Sequence, residues 1–290
     1  MSFVSTRKST AGDYIIMTVL GLIMLLCLFP FLYVISVSFT HPDSYVPMKF
    51  YLLPDRFSLE GYKYIFHSQN FMRAIGNTAL VTLIGTVLNV YVTFTFAYGL
   101  THKEVPGNKL LSGIVVFSLI FNAGILPNYL LIKNMGLMNS HWALILPALT
   151  SAWDLVVVRS FMNSLPKELE ESACIDGCND WTCFFRIILP LSKACLATFT
   201  LFFAVYYWNI YFNAMVYLTD SGKWTLQVLL KTMIIDSDAM GFSPLADQKV
   251  LPQETIKMSA IVTAMLPILL IYPFLQKYFA QGVMVGSIKG

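Results

Sequence analysis

The chain has 290 residues, of which 57% are hydrophobic and only 12% are charged. A soluble domain carries about 25% charged residues, so this composition excludes a soluble globular protein and indicates a polytopic membrane protein. The net charge of +3 is too small to imply a nucleic-acid partner, and five cysteines, an odd number, do not make a disulfide framework.

Residues 1–13 read as a short polar tail, and residues 14–39 as the first span. About 20 apolar residues cross a ~30 Å hydrocarbon core, and this run is longer. It is also longer than a leader's apolar region and lacks a small-x-small cleavage site. Residues 40–70 form a segment outside the bilayer. Residues 71–100 are the second span, with Asn77, Thr78, Gly85, Asn89, Thr93 and Thr95. Small and polar residues at that density mark a helix that contacts other helices.

A tight turn at Pro106-Gly107 leads to the third span, residues 109–132, interrupted by Asn122, Gly124, Pro127 and Asn128. An interrupted helix at membrane depth must be buried in protein or line a wet cavity. Residues 141–162 are the fourth span, with Pro147, Trp153 and Asp154. A polar interruption, 163–190, comes next. Residues 191–218 are the fifth span, carrying Tyr206, Tyr207, Trp208, Asn209, Phe212 and Asn213. Residues 219–255 are a second long outer segment with a short helix around 225–235. Residues 256–280 are the sixth span, and 281–290 a glycine-rich tail. The expected fold class is all-α, with six transmembrane helices and both termini on one side. Lys and Arg divide ten to nine between the two sides, so charge does not set the orientation.

The polar interruption has its own design. Ser164 and Pro166 are helix-start residues. Glu168, Glu170 and Glu171 place negative charge in the first turn, against the positive end of the dipole. Gly177 stops the helix, and Asn179 or Asp180 caps a second one that runs into Leu189-Pro190. Cys174, Cys178, Cys183 and Cys195 lie around this segment, but their spacing matches no zinc pattern, so no metal is expected.

Glu171-Ser172-Ala173, three residues, Gly177, nine residues, then Ile187-x-Leu189-Pro190 resembles the EAA loop of bacterial ABC-importer permeases. The one departure is Ser172, where the pattern has Ala and Ser keeps the small volume. The resemblance implies that this cytoplasmic loop, between the fourth and fifth spans, is a coupling helix seated in a cleft of an ATPase. The ATPase-coupling residues are then Glu171, Ser172, Ala173, Asp176, Gly177, Leu189 and Pro190. An interfacial helix lying on the bilayer is the rival reading of the segment.

The likeness covers nearly the whole chain, through Phe29-Pro30-Phe31-Leu32-Tyr33, Trp208-Asn209 and Tyr272-Pro273-Phe274. It is similar to the carbohydrate permeases of the MalG type, in their LplC-like branch. It implies a bacterial cell membrane location with cytoplasmic termini and a C-terminal tail (Gly286, Ser287, Lys289, Gly290) that reaches the ATPase. It also implies a heterodimer with a second homologous permease, two ATPase subunits and an extracytoplasmic solute-binding protein.

No Walker-type Gly-x-x-x-x-Gly-Lys-Ser/Thr occurs. ATP and Mg are therefore expected on the partner ATPase, with no cofactor in this chain. No carboxylate pair or nucleophile–base constellation marks a catalytic residue. For a carbohydrate substrate, aromatic rings and amides suit a pathway wall. The candidates are Asn122, Asn128, Trp153, Asp154, Tyr207, Trp208, Asn209 and Asn213, although such residues also pack spans together. Asp154 is a charge placed inside a span, where it should face the path or a sister permease. The alternative function is an ion-coupled secondary carrier, which usually brings several buried ionisable residues.

Overall fold

The computed structural model describes residues 11–47, 49–235 and 253–286. Expectations for Ser287, Lys289 and Gly290 lie outside the described residues. In chain order the helices are α1 (Ala11–Ser38), α2 (Glu60–His67), α3 (Gln69–Thr101), α4 (Asn108–Ile120), α5 (Ile125–Asn134), α6 (Trp142–Ile145) and α7 (Ala152–Met162). Then come α8 (Glu168–Ile175), α9 (Asp180–Cys183), a π-helical turn at Phe184–Ile188, α10 (Leu189–Leu191) and α11 (Lys193–Trp208). Last are α12 (Phe212–Tyr217), α13 (Leu226–Ile235) and α14 (Gln253–Gly286). Among the described residues the sole β-type pairing is an antiparallel bridge between Thr40 and Phe57.

Three of these helices are long and apolar enough to cross a bilayer: α1, α3 and the 254–271 part of α14. Two bent pairs also qualify, each taken as one span. Trp142–Ala148 meets α7 at 48°, and Asp180–Leu191 meets α11 at 85°. The stretch 109–132 is two short helices, α4 and α5. At 1.5 Å per residue, α4 runs about 20 Å, short of the ~30 Å core.

The breaks have local causes. Between α4 and α5, Gly124 takes φ +83°, a conformation that a β-carbon disfavours. Asn122 Oδ1 accepts the Gly124 N–H (2.9 Å) and Asn128 Nδ2 donates to the Gly124 carbonyl (2.8 Å). In α10, Pro190 has no N–H and its ring crowds the carbonyl four residues back. The turn widens, and the Leu189 N–H reaches Phe184 O five residues away.

The chain divides into two compact units. The first comprises Met1–Ser68 and Met233–Met265. Here α2 and α14 pass closely because Gly61 has no side chain: a β-carbon there would meet Ser259 Oγ at 2.5 Å. Ser259 Oγ donates to Ser38 O (3.2 Å) and Thr255 O (2.8 Å), and Ser38 Oγ lies 2.8 Å from the Tyr62 hydroxyl. Along α1, Ile15, Leu22 and Leu26 are exposed, as suits a hydrocarbon-facing surface.

The second unit comprises Gln69–Thr232 and Leu266–Gly290, and is built around α3, on which α11, α7 and α4 pack. Its apolar core includes Phe94, Leu144, Val158 and Phe199. Asn108 Nδ2 donates to the carbonyls of Leu100 (3.2 Å) and His102 (2.7 Å), satisfying groups that the end of α3 leaves open. Arg159 of α7 donates to Ser112 Oγ of α4 at 3.1 Å and links the two helices.

Candidate functional site

The breaks in the second unit create a cleft of about 560 Å³. Its polar lining is Asn89 of α3, Asn128 of α5, Asn213 of α12, and Thr150, Ser151 and Asp154 at the start of α7. Aromatic faces come from Trp153, Phe202, Phe203, Tyr206 and Tyr217. The volume lies in the range of small-molecule sites, roughly 300–1,000 Å³.

Asn89 is 2% exposed and donates to Ala148 O at 2.7 Å. That carbonyl belongs to the broken stretch before α7, where no helix partner takes it, so a buried amide supplies one. Thr93 Oγ1 donates to Asn89 Oδ1 at 3.0 Å and fixes the amide. Ser151 caps α7: its Oγ accepts the Asp154 N–H (3.1 Å) and donates to Asp154 Oδ2 (2.6 Å). Asp154 is thus both a capping partner and the sole charged side chain in the described lining.

Of the eight sequence candidates, Asn128, Trp153, Asp154 and Asn213 line the cleft together. The others do not. Asn122 holds the Gly124 turn. Tyr207 is fully buried, with its hydroxyl 3.4 Å from Asn89 Nδ2 and 3.5 Å from Ile145 O. Asn209 ends α11, donating to Val205 O (2.9 Å) and accepting from Gln227 Nε2 (3.2 Å). Trp208 is not part of the lining. The candidates omitted Asn89, Thr150, Ser151 and Tyr206. An amide deep in an apolar span was the available signal for Asn89.

The second feature is the elbow of α8 and α9. Helix α8 begins after Lys167, whose side chain has no acceptor to cap it, and Ser164 Oγ donates backwards to Phe161 O, closing α7 instead. It ends in a Schellman motif. Gly177 takes φ +84°, its N–H donates to Cys174 O (3.0 Å), and the Cys178 N–H donates to Ala173 O (3.0 Å). Asn179 caps α9 by accepting the Thr182 N–H at 2.8 Å.

Ala173 is the one buried residue of α8, while Glu171, Ser172 and Asp176 are exposed. At the far end of the segment Leu189 is half-buried and Pro190 exposed. Ile175 is 86% and Trp181 61% exposed, and neither was among the sequence candidates. Glu170 lies inward, where its Oε1 accepts from the Tyr98 hydroxyl (2.6 Å) and from His102 Nε2 (3.0 Å). Gly286 is the last residue of α14.

The family model for "Binding-protein-dependent transport system inner membrane component" matches residues 2–285. The Bacillus subtilis (strain 168) polygalacturonan/rhamnogalacturonan transport system permease protein YtcP is 43% identical over 285 residues, covering 98% of this chain and all of that protein. Protein LplC of the same organism is 42% identical over 287 residues, covering 99% of this chain and 97% of that one. A chain in the crystal structure of a bacterial ABC transporter for the import of the acidic polysaccharide alginate superposes with a TM-score of 0.87 at 30% identity. That superposition covers 94% of this chain and 100% of the other.

Proposed function

This chain belongs to the inner membrane components of binding-protein-dependent transport systems, and from that premise we propose that it forms half of the translocation path for an oligosaccharide, with the cleft of the second unit as its contribution to the wall. The observation that carries this reading is the lining itself. Sugars present hydroxyls and flat apolar faces. The accessible amides of Asn128 and Asn213, the Thr150 hydroxyl and the exposed faces of Trp153 and Tyr206 offer matching partners in one place. The chain is a transport subunit and not an enzyme. With a single charged group in that lining, the ion-coupled carrier has little to work with.

In this reading the α4–α5 pair, Trp142–Ala148 with α7, α11 with α12, and the three long helices make six spans. The elbow between α7 and α11 lies on the cytoplasmic side with both termini. A second homologous permease completes the path, and two ATPase subunits bind ATP and Mg. An extracytoplasmic solute-binding protein delivers the oligosaccharide. Ile175 and Trp181 support an ATPase contact, because large apolar side chains exposed on a polar loop mark an interaction surface. The tail from Gly286 to Gly290 reaches the same partner.

The test is reconstitution of the whole complex, with its binding protein, in proteoliposomes. Trp153→Ala and Asn213→Ala lower oligosaccharide uptake while the complex still purifies intact. Unchanged uptake in both variants would remove the cleft from the path.

A further inference from the structure

We propose that Tyr98, His102 and Glu170 form the strut through which movement of α8 reaches the cleft. This rests on reading α8 as the ATPase contact. Glu170 stands one residue before Glu171 and is turned the other way. Glu171 is exposed, and the Glu170 side chain is 25% exposed against a 23% exposed His102.

Two donors from α3 and the residue that follows it converge on one carboxylate oxygen. The Tyr98 O–H donates at 2.6 Å and the His102 Nε2–H at 3.0 Å. The other ring nitrogen, Nδ1, lies 3.1 Å from Tyr98 O and 3.2 Å from Thr101 Oγ1. The Tyr98 ring stands edge-on to His102 (4.7 Å between centroids) and leans on Phe184 (5.0 Å). Phe184 opens the π-helical turn that leads to α11.

The chemistry suits transmission. Apolar packing is non-directional, and surfaces in such contact can slide. Hydrogen bonds to a carboxylate are short, strong and directional, and two of them fix both distance and angle. Helix α8 has little else to hold it, since Ala173 is its one buried residue. A push on the exposed side of α8 therefore arrives at Tyr98.

From there α3 acts as a rigid lever. Asn89 lies nine residues before Tyr98, about 14 Å along the helix axis. It holds Ala148 O in the broken stretch that lines the cleft. Strut, lever and amide thus form one continuous path of named contacts from elbow to cleft. Glu170, Tyr98 and His102 are positioning residues that touch neither ATP nor substrate.

The experiment uses the complete reconstituted importer and measures oligosaccharide uptake, ATP hydrolysis and ATPase co-purification on the same preparations. Tyr98→Phe removes one donor and keeps the ring against Phe184, so the fold is retained. Glu170→Ala removes the acceptor, and Glu170→Gln restores an acceptor oxygen of the same reach. The expected result is about a fivefold fall in sugar moved per ATP in Tyr98→Phe and Glu170→Ala, a typical coupling between two sites, with the ATPase still bound. Glu170→Gln recovers most of the ratio, and the double variant is no worse than Glu170→Ala alone. A brace that merely keeps α8 folded would lower assembly and leave the ratio intact, and that result overturns the proposal. The control is Ile175→Asp on the exposed side of α8. Loss of ATPase binding there, with an unchanged ratio in Glu170→Ala, overturns the strut alone. Retention of the ATPase by Ile175→Asp overturns the docking reading and the strut with it.

Discussion

Gly85 of α3 faces the ring of Tyr207 on α11 so closely that a β-carbon at Gly85 would stand 2.7 Å from the ring carbons. Tyr207 is fully buried, so the ring has nowhere to retreat. This close approach of α3 and α11 therefore depends on one missing methyl group. Gly85→Ala is expected to cost about 1–3 kcal/mol through overpacking. A β-carbon at Gly76 of the same helix meets nothing within 4 Å. Gly76→Ala is expected to be neutral or slightly stabilising, since alanine is the better helix former. Thermal midpoints of the two variants in nanodiscs check this, and equal midpoints would contradict it.

Asp154 gives the cleft its charge. An anion held about 8 Å from it meets a repulsion of about 2 kcal/mol at an effective dielectric of ~20. Asp154→Asn removes the charge and keeps an oxygen to accept the Ser151 hydroxyl, so the cap on α7 survives. Uptake of a uronate-containing oligosaccharide relative to a neutral one of equal length is expected to rise at least about threefold in this variant. An unchanged ratio in competitive uptake would show that the carboxylate serves the cap alone.

Gly177 ends α8 at φ +84° with open space around it, so a β-carbon there is limited by backbone strain and not by contact. Gly177→Ala is expected to cost about 1–2 kcal/mol at the elbow, the usual penalty for an L-residue in that conformation. Asn tolerates it better, so Gly177→Asn should fall between. Hydrogen exchange of the α8 amides is the measurement, with protection ordered glycine, asparagine, alanine. The reverse order would contradict the strain argument.

What was legible in the sequence followed from short-range rules. The length of α1 and α3, the Gly177 stop and the Asn179 cap depend on neighbours a few residues away, and composition alone marks a bilayer as solvent. Ser164 escaped those rules, because a serine after α7 caps backwards or forwards with equal ease and here it serves Phe161 O.

The cleft was harder to read for a different reason. Tyr207, Trp208 and Asn209 share an aromatic-amide stretch with Tyr206 and Asn213, but helical phase turns successive residues to different sides. Tyr206 and Asn213 face the cleft, Tyr207 enters the core and Asn209 ends the helix. Asn89 joins the cleft only because a carbonyl 59 positions away is left open by a helix break. The strut is of the same long-range kind: Tyr98 and Glu170 lie 72 positions apart.

For α8 to couple transport to ATP hydrolysis, the elbow must face the cytoplasm with a protein seated on it. Cys174 is an exposed thiol on α8 and reports this directly. Intact cells and inverted membrane vesicles are treated with a membrane-impermeant maleimide, with and without the ATPase stripped away, and the modified peptides are mapped by mass spectrometry. The expected result is no label on Cys174 from outside the cell, and label in inverted vesicles only after the ATPase is removed. Label on Cys174 from outside, or equal label in vesicles whether or not the ATPase is present, would contradict it.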